Sequence, residues 1–196
     1  MREKVNARAK ELGLDVNVTT LDRPTRTVQE AATAVGCQPA EIAKSIVLVA
    51  DGDPVLVVAS GAHRVDLDKV ADILDVAEIR QASPDEVRSA TGFPIGGVAP
   101  FGHDLPVILD ESLLAHDLVW AAGGDGNSLF CVEPNKLSSC IKARVADVAA
   151  TKSAFPPPEQ PARGQLVPRA NDASPPPTHQ GGVTAAEWKG CPCSQP

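Results

Sequence analysis

Two places in this sequence combine residue types and spacing that can do chemistry: Lys44, and the stretch Gly92-Phe93-Pro94-Ile95-Gly96-Gly97-Val98-Ala99-Pro100-Phe101-Gly102-His103. Lys44 follows Ala40-Glu41-Ile42-Ala43 and enters the apolar run 46–50. A cation at the mouth of a buried strand can face a cleft and bind a phosphate or a developing oxyanion. The plainer alternative is a surface lysine whose stem lies on apolar neighbours while its head reaches water. The second stretch sets four Gly and two Pro within residues 92–102, without a charge. Glycine permits positive φ and close backbone approach, and proline stiffens the path. Successive exposed N–H groups in such a loop can form an anion nest or an oxyanion hole. A tight surface connection is the alternative, but Phe93, Ile95, Val98 and Phe101 are very apolar for one, so the stretch is expected to wall a pocket.

Other candidates are weaker. His103 can act as a general acid or base near neutral pH, or be a loop histidine without a role. His63 and His116 carry no supporting pattern, Asp66 is expected to cap a helix, and Asp110-Glu111 reads as a turn or helix start. No Gly-x-Ser-x-Gly elbow, P-loop or strand-coupled Gly-x-Gly-x-x-Gly is present, and no His or Cys pair has zinc-ligand spacing. Cys191-Pro192-Cys193, with His179 upstream, could bind metal or be oxidised, but lies in a segment that offers no further ligand.

The elements that must position these residues follow from periodicity. Val5, Ala9 and Leu12 predict a helix stopped by Gly13, and residues 15–21 alternate like a short strand. Thr27-Val28-Gln29-Glu30 is a capping box for a helix carrying Ala31, Ala32 and Val35. The runs 46–50 and 55–59, joined by Asp51-Gly52-Asp53-Pro54, predict a hairpin covered on both faces. A helix follows Asp66, a strand is expected at 78–81, and Ser83-Pro84-Asp85-Glu86 is a strong helix start. Strands are expected at 107–109, 118–122 and 128–132, with a turn or short helix at 111–115. The final helix begins near Pro134 and continues through Leu137, Ile141, Val145 and Val148. Paired strands with separate helices predict an α+β domain: a single compact unit whose mixed, mostly antiparallel sheet or partial barrel is flanked by helices.

Composition bounds the rest. The chain has 196 residues and a net charge of −7. Residues 1–150 hold 14 basic and 22 acidic residues, a balance of −8, and the remainder is +1. That argues against a protein that coats DNA or RNA, though a few cations in a cleft can still recognise one nucleic-acid end. Residues 156–196 hold ten of the 18 prolines. Such a segment buries too little apolar surface to offset its ordering entropy, so the domain is expected at 1–150 and a disordered Pro-rich tail at 151–196. No apolar run is long enough for a membrane span and the start lacks a signal region, which predicts a cytoplasmic protein. Cys37, Cys131 and Cys140 read as small core or near-core residues.

Taken in order, three stretches resemble the YbaK family of aminoacyl-tRNA deacylases, related to the editing domain inserted in some prolyl-tRNA synthetases. They are Ala43-Lys44-Ser45, then Thr91-Gly92 through Gly96-Gly97-Val98-Ala99-Pro100-Phe101-Gly102, then Leu109-Asp110-Glu111-Ser112. The similarity covers roughly residues 20–148. The resemblance implies hydrolysis of the ester between an amino acid and tRNA, without metal or cofactor. It makes Lys44 the functional lysine and Gly96 through Pro100 the functional loop.

On this implication Lys44, Gly96 and Gly97 serve catalysis, and Val98, Ala99, Pro100, Phe101, His103 and Ala121 line the substrate site. The implied partners are the aminoacyl-tRNA 3′ end and a prolyl-tRNA synthetase, with no role for DNA or membrane. Many relatives carry a hydroxyl where Ala99 and Ala121 stand, so Cys, Ala and other small residues on tRNA(Pro) all remain open as substrates. The competing readings are an inactive module that holds tRNA ends or a synthetase, and a redox or metal protein using Cys191 and Cys193.

Overall fold

A computed structural model describes residues 1–150; the Pro-rich tail and the Cys191–Cys193 pair lie outside them. Helices α1 (Arg2–Glu11), α2 (Val28–Val35), α3 (Leu67–Leu74), α4 (Pro84–Thr91) and α5 (Pro134–Ile141) surround one sheet. Its strands are β1 (Thr19–Thr20), β2 (Ile42–Ala50), β3 (Asp53–Ser60), β4 (Ile79–Gln81), β5 (Val107–Asp110), β6 (Val119–Ala122), β7 (Ser128–Val132) and β8 (Arg144–Ala146). The order is β1-β7-β6-β2-β3-β5-β8, with β4 also on β2, and the sheet is not closed into a barrel. Four pairings are antiparallel and three parallel, which agrees with the α+β expectation of a mixed, mostly antiparallel sheet.

Local sequence explains most of these elements. Thr27 Oγ1 accepts from Glu30 N at 3.1 Å and the Glu30 carboxylate accepts from Thr27 N at 3.3 Å, closing the expected capping box. Ser83 and Glu86 do the same for α4. Arg80 holds the Glu86 carboxylate from the other side, and that ion pair lowers its pKa to about 2. The β2–β3 hairpin turns through Asp51 at φ 47° and Gly52 at φ 95°, the two positive φ values that a two-residue hairpin loop needs.

The central strand β2 changes neighbours along one edge. Its first two residues, Ile42 and Ala43, pair with β6 in parallel, and its last three, Leu48 to Ala50, pair with β4 antiparallel. Residues 44–47 have β3 alone as a strand neighbour.

Alternation along β2 separates two apolar layers. Ala43, Val47 and Val49 join Val5, Val87, Phe93, Phe101 and Leu137, so α1, α4, α5 and the loop 92–103 cover one face. Leu48 and Ala50 join Val70 under α3, and Ile42 joins Ala31, Ala32 and Val35 under α2, on the other face.

Two expectations are corrected. The strand expected at 15–21 shrinks to Thr19–Thr20, because only those residues find register partners at the sheet edge, while Val16 and Val18 pack as side chains against the core. The last helix stops at Ile141, where Lys142 turns left-handed at φ 53°. Val145 then belongs to β8, whose backbone pairs with β5, and helix periodicity past Ile141 was a coincidence of spacing.

Candidate functional site

The loop 92–103 is built as a braced strap. Phe93, Val98, Ala99 and Phe101 are buried, and the Phe101 ring lies 5.4 Å from that of Phe130. Burying one such side chain contributes about 1.5–3 kcal/mol, so the strap is anchored by several of them. Ile95, expected with these as pocket wall, stands 61% exposed at the tip. Gly97 N–H closes a turn onto Pro94 O at 3.0 Å, with Gly96 at φ 80°, a value that glycine adopts without strain. A Cβ at Gly97 would lie 2.6 Å from the Cα of Asp125, so this strap runs backbone against backbone over the β6–β7 turn. Among the described residues, the N–H groups of Val98 and Ala99 donate to nothing.

His103 ties the strap to itself. Leu105 N donates to Nδ1 at 3.3 Å, which leaves the proton on Nε2, 3.2 Å from Ala99 O. Burial lowers the imidazole pKa below its ordinary value, reinforced by the nearby Lys4 charge and opposed by the Ala99 carbonyl and Asp104. Both nitrogens are used and the neutral ring is favoured, so His103 fixes the Ala99 peptide.

Lys44 sits on the other face of β2, the face of its cross-strand partner Ala59, which packs under α3. Its amine donates to the backbone oxygen of His63. Burial pushes its pKa down; the Asp110 charge offsets part of this, and Arg64 adds to it. Asp110, fully buried, accepts from Ser60 N and Ser112 N, each at 3.1 Å, and pairs with His63 Nε2 at 2.5 Å. This face therefore gathers Lys44, His63 and Asp110, while Gly96 to Phe101, His103 and Ala121 belong to the opposite face. Ala99 and Ala121, both fully buried, put methyl groups rather than hydroxyls into that layer. Ser45, next to Lys44 and alternating to the loop side, carries a buried Oγ without a hydrogen-bond partner.

Among the described residues, no group of three His, Cys, Asp or Glu could hold a metal ion, and no helix is long and apolar enough to cross a membrane. The model of the aminoacyl-tRNA editing domain matches residues 22–140. The chain belongs to that family.

Relatives place this editing domain in two contexts. The Bacillus subtilis (strain 168) protein YwhH, itself uncharacterized, is 39% identical over 132 residues, covering 66% of this chain and 83% of YwhH. The proline–tRNA ligase of Solidesulfovibrio magneticus is 38% identical over 101 residues, which is 50% of this chain but 17% of the ligase. A solved structure described as a candidate trans-editing enzyme for prolyl tRNA synthetase superposes with a TM-score of 0.73 at 41% identity, covering 76% of this chain and 97% of that one. The editing-domain match ends at residue 140 and begins at 22, so α1, β1 and β8 lie outside it.

Sequence reasoning missed the centrality of Asp110, the partner role of His63 and the orphan hydroxyl of Ser45. Asp110 and His63 are 47 residues apart, so no local spacing joins them. Ser45 does have a local signal: it is the sole hydroxyl in a strand that is apolar apart from Lys44, at the parity of its core-facing positions.

Proposed function

We propose that this editing domain acts as a free-standing deacylase, hydrolysing the aminoacyl ester of mischarged tRNA(Pro) in trans. The observation that carries the reading is a set of unspent polar groups on one face: the N–H groups of Val98 and Ala99 on a braced strap, and the buried Oγ of Ser45. An aminoacyl ester is already reactive, so a site need mainly position it and stabilise the oxyanion. One such preorganised donor is worth about 2.7–4 kcal/mol of barrier. In this reading the strap N–H groups receive the oxyanion, Ser45 receives the amino group of the acyl moiety, and water is the nucleophile. Lys44, on the opposite face and bonded to the His63 backbone oxygen, acts from a distance: it holds the start of β2, and with it Ser45, in place. The alanines at 99 and 121 offer the aminoacyl group no hydroxyl, so Ala, Cys and other small residues all stand as substrates to be tested. The 41% identity to the candidate trans-editing enzyme supports the trans-acting form.

The test is deacylation of tRNA(Pro) charged with Cys, Ala, Ser or 2-aminobutyrate. Turnover of at least one is expected, with kcat/KM at least about tenfold lower in Lys44→Ala, the scale of one lost charged contact. Full activity in Lys44→Ala removes the lysine from the mechanism. Binding without turnover on all four favours the second reading, a tRNA-end module, which the buried Ala99 and Ala121 methyls support by supplying no hydroxyl.

A further inference from the structure

Behind the strap lies a cleft of about 330 Å³ that neither the strap N–H groups nor Lys44 accounts for. Its floor is apolar, from Leu12, Phe101, Leu105 and Ile141, and its cations are Arg8 on α1 and Lys142 after α5. No carboxylate lines it, although residues 1–150 carry a net charge of −8. Two carboxylates lie beside it: Glu11, which pairs with Arg8 at 2.7 Å, and Asp104, between the lining residues His103 and Leu105. Lys4, one helical turn before Arg8, continues the basic line along the strap, its amine 5.0 Å from the Phe93 ring centroid.

Lys142 adds an independent signal. Three non-glycine residues of the described chain have positive φ: Asp51, Asp75 and Lys142. Aspartate is enriched in left-handed backbone, because its short side chain bonds locally, whereas lysine gains nothing there. Glycine is the usual residue at such a helix end. A lysine that keeps this conformation in the wall of a cleft is a strained position of the kind found at functional sites.

Resting on the deacylase reading above, we propose that this cleft binds one nucleotide of the tRNA 3′ strand, upstream of the aminoacylated adenosine. Its base lies against Leu12, Leu105 and Ile141, and its phosphate between Arg8 and Lys142. Continuity fixes the occupant. Residues 100–103 form both the end of the strap and a wall of the cleft, so a strand with its ester at residues 96–99 runs next past the cleft. The volume suits a ligand of that size. Base-to-side-chain contact is tolerant of sequence, so the cleft contributes affinity and register rather than tRNA choice.

The experiment titrates fluorescently labelled, uncharged tRNA(Pro) against the full chain at several salt concentrations. Arg8→Gln and Lys142→Gln are each expected to weaken binding about three- to tenfold and to lower the log–log salt slope by about 0.7, one single-strand phosphate. Lys142→Gly separates charge from backbone: glycine relieves the left-handed strain, so the melting temperature holds or rises while binding still weakens. Lys136→Gln, an exposed cation of α5 outside the cleft, leaves binding unchanged. In deacylation of Ala-tRNA(Pro), Lys142→Gly raises KM with kcat retained. Wild-type affinity and slope in Lys142→Gly overturn the proposal, as does a wild type that does not bind tRNA(Pro). A wild type that binds with a Lys142-dependent slope yet turns over no mischarged tRNA(Pro) sinks the deacylase reading and leaves the cleft standing.

Discussion

One added methyl group at position 97 tests whether the strap 92–103 works as a braced unit. In Gly97→Ala the new Cβ falls 2.6 Å from Asp125 Cα, 2.7 Å from its N and 2.9 Å from its C. Ordinary contact begins near 3.4 Å, so the two backbones must separate by at least about 0.8 Å. Neither side yields easily. Asp125 is held by Ser128 Oγ at 2.6 Å, by Asn127 N at 3.2 Å and by Arg2 at 3.2 Å, while Gly97 is buried and tied to Pro94. Overpacking of this kind costs about 1–3 kcal/mol. For a chain of this size, 2 kcal/mol lowers the melting temperature by roughly 4–8 °C. A displacement approaching 1 Å at groups that position an ester costs on the order of 10²-fold in turnover. Gly126→Ala, in the same turn with nothing within 4 Å of its Cβ, is the matched control. Thermal denaturation and single-turnover deacylation read the two effects separately. Wild-type melting and wild-type turnover in Gly97→Ala refute the brace. A lower melting temperature with full turnover keeps the packing but removes the strap from the chemistry.

Acid stability reports on His103. Its pKa is lowered in the folded chain, so the unfolded chain takes up a proton that the folded one resists; stability is therefore full above pH 6.5 and declines as pH falls through that value. His103→Gln should flatten this part of the pH–stability curve, and an unchanged slope would show that the ring is not held neutral. Asp110→Asn replaces a carboxylate that serves three donors with a group that must itself donate, at a cost of about 2 kcal/mol or more. Urea denaturation with an unshifted midpoint would contradict the hydrogen-bond network drawn around it. The Cys37 thiol, raised to about 11 by burial and the Glu41 charge, should stay unreactive toward iodoacetamide at pH 8, as followed by peptide mass.

Elements with a local cause could be read from the sequence. Thr27 with Glu30, Ser83 with Glu86, and Asp51-Gly52 each act within a few residues, and their helices and hairpin stand where they were expected. The end of α5 could not be read, because Leu137, Ile141, Val145 and Val148 keep helical spacing across Lys142, and the edge of β5 that claims Val145 is 36 residues away. At the candidate site, the glycines and prolines mark the strap 92–103. The apolar residues between them proved to be its anchors, apart from exposed Ile95. The parity of β2, which sends Lys44 and Ser45 to opposite faces, was legible in principle from strict alternation. The apolar run 46–50, half-buried at Ile46 and buried from Val47 to Ala50, has no polar face and hides which side is which.

The change of neighbours along β2 has a mechanical consequence. The leaf β6–β7–β1 joins the rest of the sheet through two residue pairs only, Ile42 with Trp120 and Ala43 with Ala121. A junction that short leaves the leaf held to the rest of the sheet mainly by side-chain packing, through Val119, Ala121, Phe130 and Val132 on one face and Leu129 on the other. Asp125, whose backbone presses on Gly97, rides at the tip of that leaf. The placement of that leaf therefore sets, through the contact of Asp125 with Gly97, the placement of residues 96–99.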